Sequence, residues 1–248
     1  MRKASPVSAI LRTAYIWLVI GVLTIVISSI NLLVALPLWL VDRKRRMPHT
    51  LNTLWGRLIF AGIPVWRLTV TGRHHLHPRG TYIFVANHQS LLDIMALFCI
   101  RRQFKWVAKD HLFMIPFLGW SMAMAGYIQL ERGRHGSIRD TYAQAKEWLA
   151  SGVSVFFFPE GTRSRTGEVG PFKNGAFKLA LETGAPVVPI AVSGTRDIIE
   201  RGRWIFNPTT RMRVTVLPPA SPGDYHAAGA DRFRDDVRDR IVKTVQES

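Results

Sequence analysis

Hydrophobic positions along this chain follow three patterns. The first is one long block. From Thr13 to Val41 no charged residue occurs, and "YIWLVIGVLTIVISSINLLVALPLWLV" is apolar almost throughout. About 20 such residues suffice to cross a bilayer as a helix, so the block predicts a membrane-embedded helical segment over residues 1–46. It is too long for a signal-peptide core, and no small-residue cleavage site precedes the basic run Arg43–Arg46. With Arg2, Lys3 and Arg12 on the other flank, the positive-inside rule gives a mixed vote. A single span would place the more basic C-terminal side in the cytoplasm. A hairpin breaking near Ser28-Ser29-Ile30-Asn31, with Pro37 in its second arm, would place both ends there.

The second pattern is the short continuous apolar run, and the third is apolar spacing at the helical period. They alternate from residue 47 to 248, as expected for an α/β domain whose strands are covered on both faces. Short β-type runs, of which "VSVFFF" and "PVVPIAV" are continuously apolar, predict strands over Trp66–Thr71, Thr81–Ala86, Lys105–Val107, Val153–Phe158, Val187–Val192 and Met212–Leu217. The periodic stretches predict helices over Leu91–Arg101, Phe117–Ala125, Ile138–Ala150, Ala176–Thr183 and Asp231–Glu247, the last with Phe233, Val237, Ile241 and Val245 toward the core. The expected architecture is a mixed, mostly parallel sheet flanked by helices and preceded by the membrane segment.

Composition narrows the partners. Lys and Arg number 33 against 17 Asp and Glu, a net charge of +16, so an anionic partner is implied. Nucleic acid, an acidic membrane surface, a phosphorylated substrate and an acidic carrier protein all qualify. The one cysteine, Cys99, excludes an internal disulfide and a cysteine-based metal cluster, and its apolar setting suits packing. His74, His75 and His77 alternate in a loop without a nearby carboxylate, so no metal is expected there.

Two short stretches carry candidate chemistry. In "FVANHQSLLDI" an apolar strand ends on Asn87-His88, and Asp93 follows five residues later. Residues five apart in one helix point about 140° from each other. His88 and Asp93 can therefore meet only if His88 lies in the turn and Asp93 in the first helical turn. Ser90 as N-cap would achieve this, with Asp93 fixing the imidazole and its free nitrogen taking a proton as general base. The same Ser90-x-x-Asp93 spacing also suits a capping box that serves helix stability alone. The second stretch follows the apolar run ending at Phe158. There Pro159-Glu160-Gly161-Thr162-Arg163 offers a carboxylate for substrate hydroxyls, a glycine for close approach, a hydroxyl and a guanidinium able to grip a phosphate. Both stretches sit at strand carboxyl ends, where open α/β sheets bind ligands.

Together these stretches resemble the glycerophospholipid acyltransferase family. Its N-H-x-S-x-x-D motif is matched by Asn87, His88, Ser90 and Asp93, and F-P-E-G-T-R-S by Phe158 to Ser164. A further motif is matched by Lys109, Pro116, Gly119, Gly126, Ile128 and Arg132, with "QLE" where "FID" is common, and Val188-Pro189-Ile190 matches the last. The resemblance spans roughly residues 65 to 220 in the family's order. It implies acyl transfer from an acyl-CoA or acyl carrier protein thioester, as co-substrate and with no cofactor, to the sn-2 hydroxyl of lysophosphatidate. That would yield phosphatidic acid for phospholipid synthesis. His88 would be the base and Asp93 its orienter, with Arg132, Glu160, Gly161, Thr162, Arg163 and Lys109 binding substrate. Anionic membrane lipids, and no nucleic acid, are the implied partners, at a cell inner membrane with the catalytic domain in the cytoplasm. A different lyso-lipid acceptor, such as lyso-ornithine lipid, and a non-catalytic basic membrane protein are the alternatives. The apolar "FMIPFLGWSMAMAGYI" is read either as the lining of an acyl-chain tunnel or as core.

Overall fold

A computed structural model describes residues 6–131, 135–199, 201–208 and 211–247. The six expected strands form as β1 (Arg67–Thr71), β2 (Ile83–Ala86), β3 (Phe104–Lys109), β5 (Ser154–Phe157), β6 (Val187–Ser193) and β7 (Arg211–Val216). A seventh, β4 (Ile128–Leu130), was not expected; at three residues it is too short to show a period. The sheet order is β1-β7-β6-β2-β5-β3-β4. Among the named strands β6 and β7 pair antiparallel, and the other pairings are parallel. The fold is thus the expected α/β class with a mixed, mostly parallel sheet.

The continuous apolar strands β2, β5 and β6 arise because the middle of the sheet is covered on both sides. All four residues of β2 are buried. Phe84, Ala86, Phe156, Val188 and Ile190 pack toward one helical layer. Their alternates Ile83, Val85, Val155, Val187 and Ala191 pack toward the other. The first layer comprises α1 (Pro6–Leu38), α2 (Arg46–Gly62), α3 (Leu92–Phe98) and α4 (Leu118–Met124). The second comprises α5 (His135–Ala150), α6 (Gly175–Thr183) and α8 (Gly229–Gln246), with Phe233, Val237 and Ile241 inward as their spacing implied. A single turn of helix, α7 (Thr195–Ile198), follows β6.

The apolar block forms one helix long enough to span a bilayer and departs from the expected hairpin. α1 runs unbroken through Ser28–Asn31. Those polar residues are buried contacts rather than a bend: Asn31 Nδ2 donates to Ser121 Oγ on α4 (2.7 Å), and Ser121 Oγ donates to Asn52 Oδ1 on α2 (2.6 Å). The hairpin is formed instead with α2, an element the sequence reading did not assign. Its buried positions Pro48, His49, Asn52, Trp55, Gly56 and Ile59 have helical spacing, but polar side chains disguise the stripe. Asp42 caps α2 by accepting the Arg46 and Met47 N–H groups (2.9 and 2.8 Å). A Cβ at Gly56 would lie 2.9 Å from the Met95 carbonyl oxygen, so glycine permits the close α2–α3 approach.

Polar groups buried under the hairpin are paired into a chain, Asn31 Oδ1 excepted. His49 Nε2 faces the Arg102 carbonyl (2.8 Å), which can only accept, so Nε2 carries the proton and Nδ1 accepts from the Tyr127 hydroxyl (3.1 Å). Burial drives the His49 pKa down to about 3 and keeps the ring neutral. Lys105 is fully buried on β3 and donates to the Ala125 carbonyl (2.6 Å) and to the Lys44 carbonyl in the α1–α2 turn (2.9 Å). Its ammonium lies over the Trp148 ring at 4.5 Å. The proposed boundary at residue 46 thus lies at the first residue of α2, and Ile16, Ile20 and Ile27 of α1 belong to the same core as β2.

Candidate active site

Two loops at the carboxyl ends of β2 and β5 meet above an apolar cavity. Asn87, just past β2, fixes the first by exchanging two hydrogen bonds with Val192 on β6, both 2.8 Å. The chain then turns so that His88 Nδ1 lies 2.7 Å from Asp93 Oδ2. Asp93 is completely buried, and the same oxygen accepts the Gln89 and Ser90 N–H groups (2.6 and 2.8 Å). Thr195 of α7 donates its hydroxyl to the other oxygen. The carboxylate is an acceptor only, so Nδ1 of a neutral His88 carries the proton and Nε2 is left with its lone pair. Asp93 therefore serves the helix start and the histidine together, and the two expected roles are not exclusive.

Ser90 keeps its expected place at the helix start: its Oγ accepts the Leu92 N–H (3.4 Å) and its carbonyl accepts the Asp93 N–H (3.3 Å), while Leu91 already has helical dihedrals. The same hydroxyl donates to the Ile199 carbonyl (3.0 Å), which ties the turn to the segment after α7.

The second loop is braced on the first. Glu160 Oε1 accepts the His88 N–H (2.8 Å) and Oε2 accepts the Gly170 N–H (3.0 Å). The Ser164 N–H donates to the His88 carbonyl (2.8 Å). Burial raises the Glu160 pKa, and the two N–H groups act against that shift. These are positioning contacts. Gly161, at φ +68°, makes the turn that brings Thr162 and Arg163 to the cavity wall.

The cavity holds about 310 Å³. His88, Lys109, Gly161, Thr162, Arg163 and Arg201 line its polar end, and Ile94, Met95, Phe98, Trp106, Leu118 and Met122 line its body. Thr24 and Ser28 of α1, with Asn52 and Tyr127, also line it. His88 stacks on Phe158 (centroids 4.0 Å, 15°), which in turn stacks on Trp106 (5.3 Å, 16°). An aromatic wall thus holds the imidazole plane while its edge bonds Asp93. Leu118, Ser121 and Met122, from the stretch read as tunnel or core, do line this cavity.

The structure brings together His88, Asp93, Lys109, Glu160, Gly161, Thr162 and Arg163. Arg132 lies outside the described residues. Sequence reasoning missed Thr195, Trp106 and Arg201. Thr195 is about a hundred residues from Asp93 and carries no local signal, whereas Phe158 sat in a recognised motif without a role.

Comparison with known proteins places this geometry. A family model described as Acyltransferase matches residues 67–193. A chloroplast 1-acyl-sn-glycerol-3-phosphate acyltransferase of Brassica napus is 35% identical over 240 residues, 96% of this chain and 68% of that protein. One from Chlamydomonas reinhardtii is 40% identical over 219 residues, 87% of this chain and 64% of the relative. The chain therefore spans about two thirds of the length of these relatives. The crystal structure of the 1-acyl-sn-glycerophosphate acyltransferase PlsC from Thermotoga maritima superposes with a TM-score of 0.82 at 26% identity, covering 97% of this chain and 96% of that one. With the sheet, the paired loops and these relatives in agreement, the chain is an enzyme that belongs to the acyltransferase family.

Proposed function

We propose that this enzyme moves an acyl chain from an acyl-CoA or acyl carrier protein thioester to the sn-2 hydroxyl of 1-acyl-glycerol-3-phosphate. His88 Nε2 takes the hydroxyl proton as the oxygen attacks the thioester carbonyl. Collapse of the tetrahedral intermediate breaks the C–S bond, and the imidazolium returns the proton to the departing sulfur. Asp93 holds the ring and balances its transient charge. An activated thioester needs a base more than an acyl-enzyme nucleophile, and no G-x-S-x-G elbow occurs in the chain. Arg163 and Lys109 take the acceptor phosphate beside the base, and an acyl chain occupies the apolar body of the cavity. Glu160 acts by positioning both loops.

The same reading puts α1 along the membrane surface. Near its start Arg12 donates to the Phe206 carbonyl (2.9 Å) and Trp17 to the Trp204 carbonyl (3.0 Å); further on, Asn31 is bonded to α4. The stretch between Arg12 and Asn31, about 28 Å of helix, is fastened to the α/β domain, which supports a place in one leaflet over a span. Its other face exposes Leu11, Leu18, Val22, Ile25, Leu33 and Leu36, a surface suited to burial in one leaflet.

The observation that carries the proposal is the His88–Asp93 pair at the polar end of an apolar cavity, with Arg163 on the same wall. Purified full chain is assayed with lysophosphatidate, other lyso-lipids and both donor types. His88→Ala should lose about 10²- to 10⁴-fold in turnover. Arg163→Ala should lose roughly ten- to hundredfold in efficiency with lysophosphatidate, mainly through its Michaelis constant. Folded His88→Ala protein at wild-type rate would reject the mechanism, and turnover confined to phosphate-free acceptors would reject the acceptor.

A further inference from the structure

One sheet face takes no part in the site. β7 points Met212, Val214 and Val216 into the α1–α4 side of the core, so Arg211, Arg213 and Thr215 point to the opposite side. β1 does the same with Leu68 and Val70, leaving Arg67, Thr69 and Thr71 beside them. Register sets Arg67 opposite Arg211, Thr69 opposite Arg213 and Thr71 opposite Thr215, and the last pair's hydroxyls are 3.3 Å apart. α8 packs on β6, while the arginines of β7 and of edge strand β1 are exposed. Like charges set directly opposite are unfavourable in a sheet. Among the described residues no carboxylate pairs with Arg67, Arg211 or Arg213.

This face is joined to the catalytic end. β7 runs antiparallel to β6, which is parallel to β2, so Arg67 and Arg211 share the sheet end that carries His88. β7 lies two strand spacings from β2, about 10 Å. The turn bearing Thr195 sits directly on β7: a Cβ at Gly194 would lie 2.2 Å from the Arg211 carbonyl oxygen. Arg196, next in the chain, donates to the Arg165 carbonyl (3.1 Å), so positive charge continues toward Arg163 and the cavity.

We propose that the exposed β1–β7 face docks the acyl donor as a small acidic carrier protein, which reaches the site by threading its thioester-bearing phosphopantetheine arm over the end of the sheet. The proposal rests on the transferase reading above and selects one of its two donors. The chemistry favours a protein over a nucleotide. The face is exposed, its arginines are spread over two rungs about 7 Å apart, and none of the outward residues of β1 and β7 is aromatic, so no ring is offered to an adenine there. A row of carboxylates on a helix fits it better than one compact phosphate. An anionic membrane is the weaker fit, because the face lies across the sheet from α1 and its exposed apolar side.

The test uses the full chain in detergent with lysophosphatidate and one acyl chain supplied on either donor. Arg67→Glu/Arg211→Glu/Arg213→Glu should raise the Michaelis constant for the acyl carrier protein at least about tenfold and abolish its salt dependence, and the corresponding glutamine triple should do so less. Turnover with acyl-CoA should stay within about twofold, which also shows that the variants fold. Titrated holo carrier protein should bind wild type and not the glutamate triple. Unchanged carrier-protein kinetics in both triples overturn the proposal, as does an equal loss with acyl-CoA, which would make the face a nucleotide site. Aggregation with unaltered kinetics in the remaining soluble protein also overturns it, reducing the arginines to guards of an edge strand. Wild type that uses acyl-CoA alone overturns the docking face and leaves the transferase reading standing. Wild type that uses neither donor overturns that reading itself.

Discussion

Replacing Glu160 with glutamine separates a brace from a substrate ligand. The carboxylate accepts two backbone N–H groups, from His88 at 2.8 Å and Gly170 at 3.0 Å. An amide offers one oxygen, so in either orientation its NH₂ faces one of these donors. A lost hydrogen bond to a charged group costs about 1.5–3 kcal/mol. Burial already raises the Glu160 pKa, so a neutral side chain recovers part of the desolvation cost and places the change near the lower figure. For a chain of this size 1 kcal/mol corresponds to about 2–4 °C, so Tm should fall by about 3–6 °C. Because one lost contact holds the His88 backbone, the base shifts and kcat should drop about tenfold or more. The Michaelis constant for lysophosphatidate should stay within about twofold. Thermal melts and acceptor kinetics at saturating donor measure all three. An unchanged Tm with a raised Michaelis constant would refute the brace and make Glu160 a substrate contact.

Three further outcomes follow from the geometry. Thr195→Val removes the hydroxyl that bonds Asp93 and should lower kcat about tenfold with little change in acceptor Michaelis constant, while Thr195→Ser restores it; wild-type kcat in the valine variant would show that three donors suffice for Asp93. Burial lowers the Lys105 pKa to about 7, against about 10.4 in an unfolded chain, while the Asp42 carboxylate acts against that shift. Between pH 7 and 10 the unfolded state then binds more protons, so this lysine's contribution makes stability rise with pH and becomes flat below pH 7; urea midpoints at three pH values should show that slope in wild type and not in Lys105→Met. Deleting residues 1–44 uncovers the core that Ile16, Ile20 and Ile27 close, about 5–9 kcal/mol from those three side chains alone, so the truncated chain should unfold or aggregate; a cooperative melt at the wild-type Tm would refute the shared core.

The sequence by itself determined the elements whose signal is local. Continuous apolar runs marked the central strands β2, β5 and β6 because those are covered on both faces, and helical spacing marked α8 because Phe233, Val237 and Ile241 face one layer. His88 with Asp93, and the Glu160–Arg163 loop, were legible because each lies within a few consecutive residues at a strand end. Tertiary structure decided what depends on contacts between distant segments. Asn31 and Ser28 read as a break in an apolar helix, yet both are buried and Asn31 bonds α4, so α1 is unbroken and the hairpin closes through α2. Pairing assigned Glu160 to backbone N–H groups on two loops, a role that its place in a motif could not reveal. Thr195 reaches Asp93 only because β6 lies beside β2. Arg67 and Arg211 are 144 positions apart, and register alone makes them neighbours on one face. The reason is common to all of these: periodicity records which side of an element is buried, while the partner on that side is set by sheet order and helix packing.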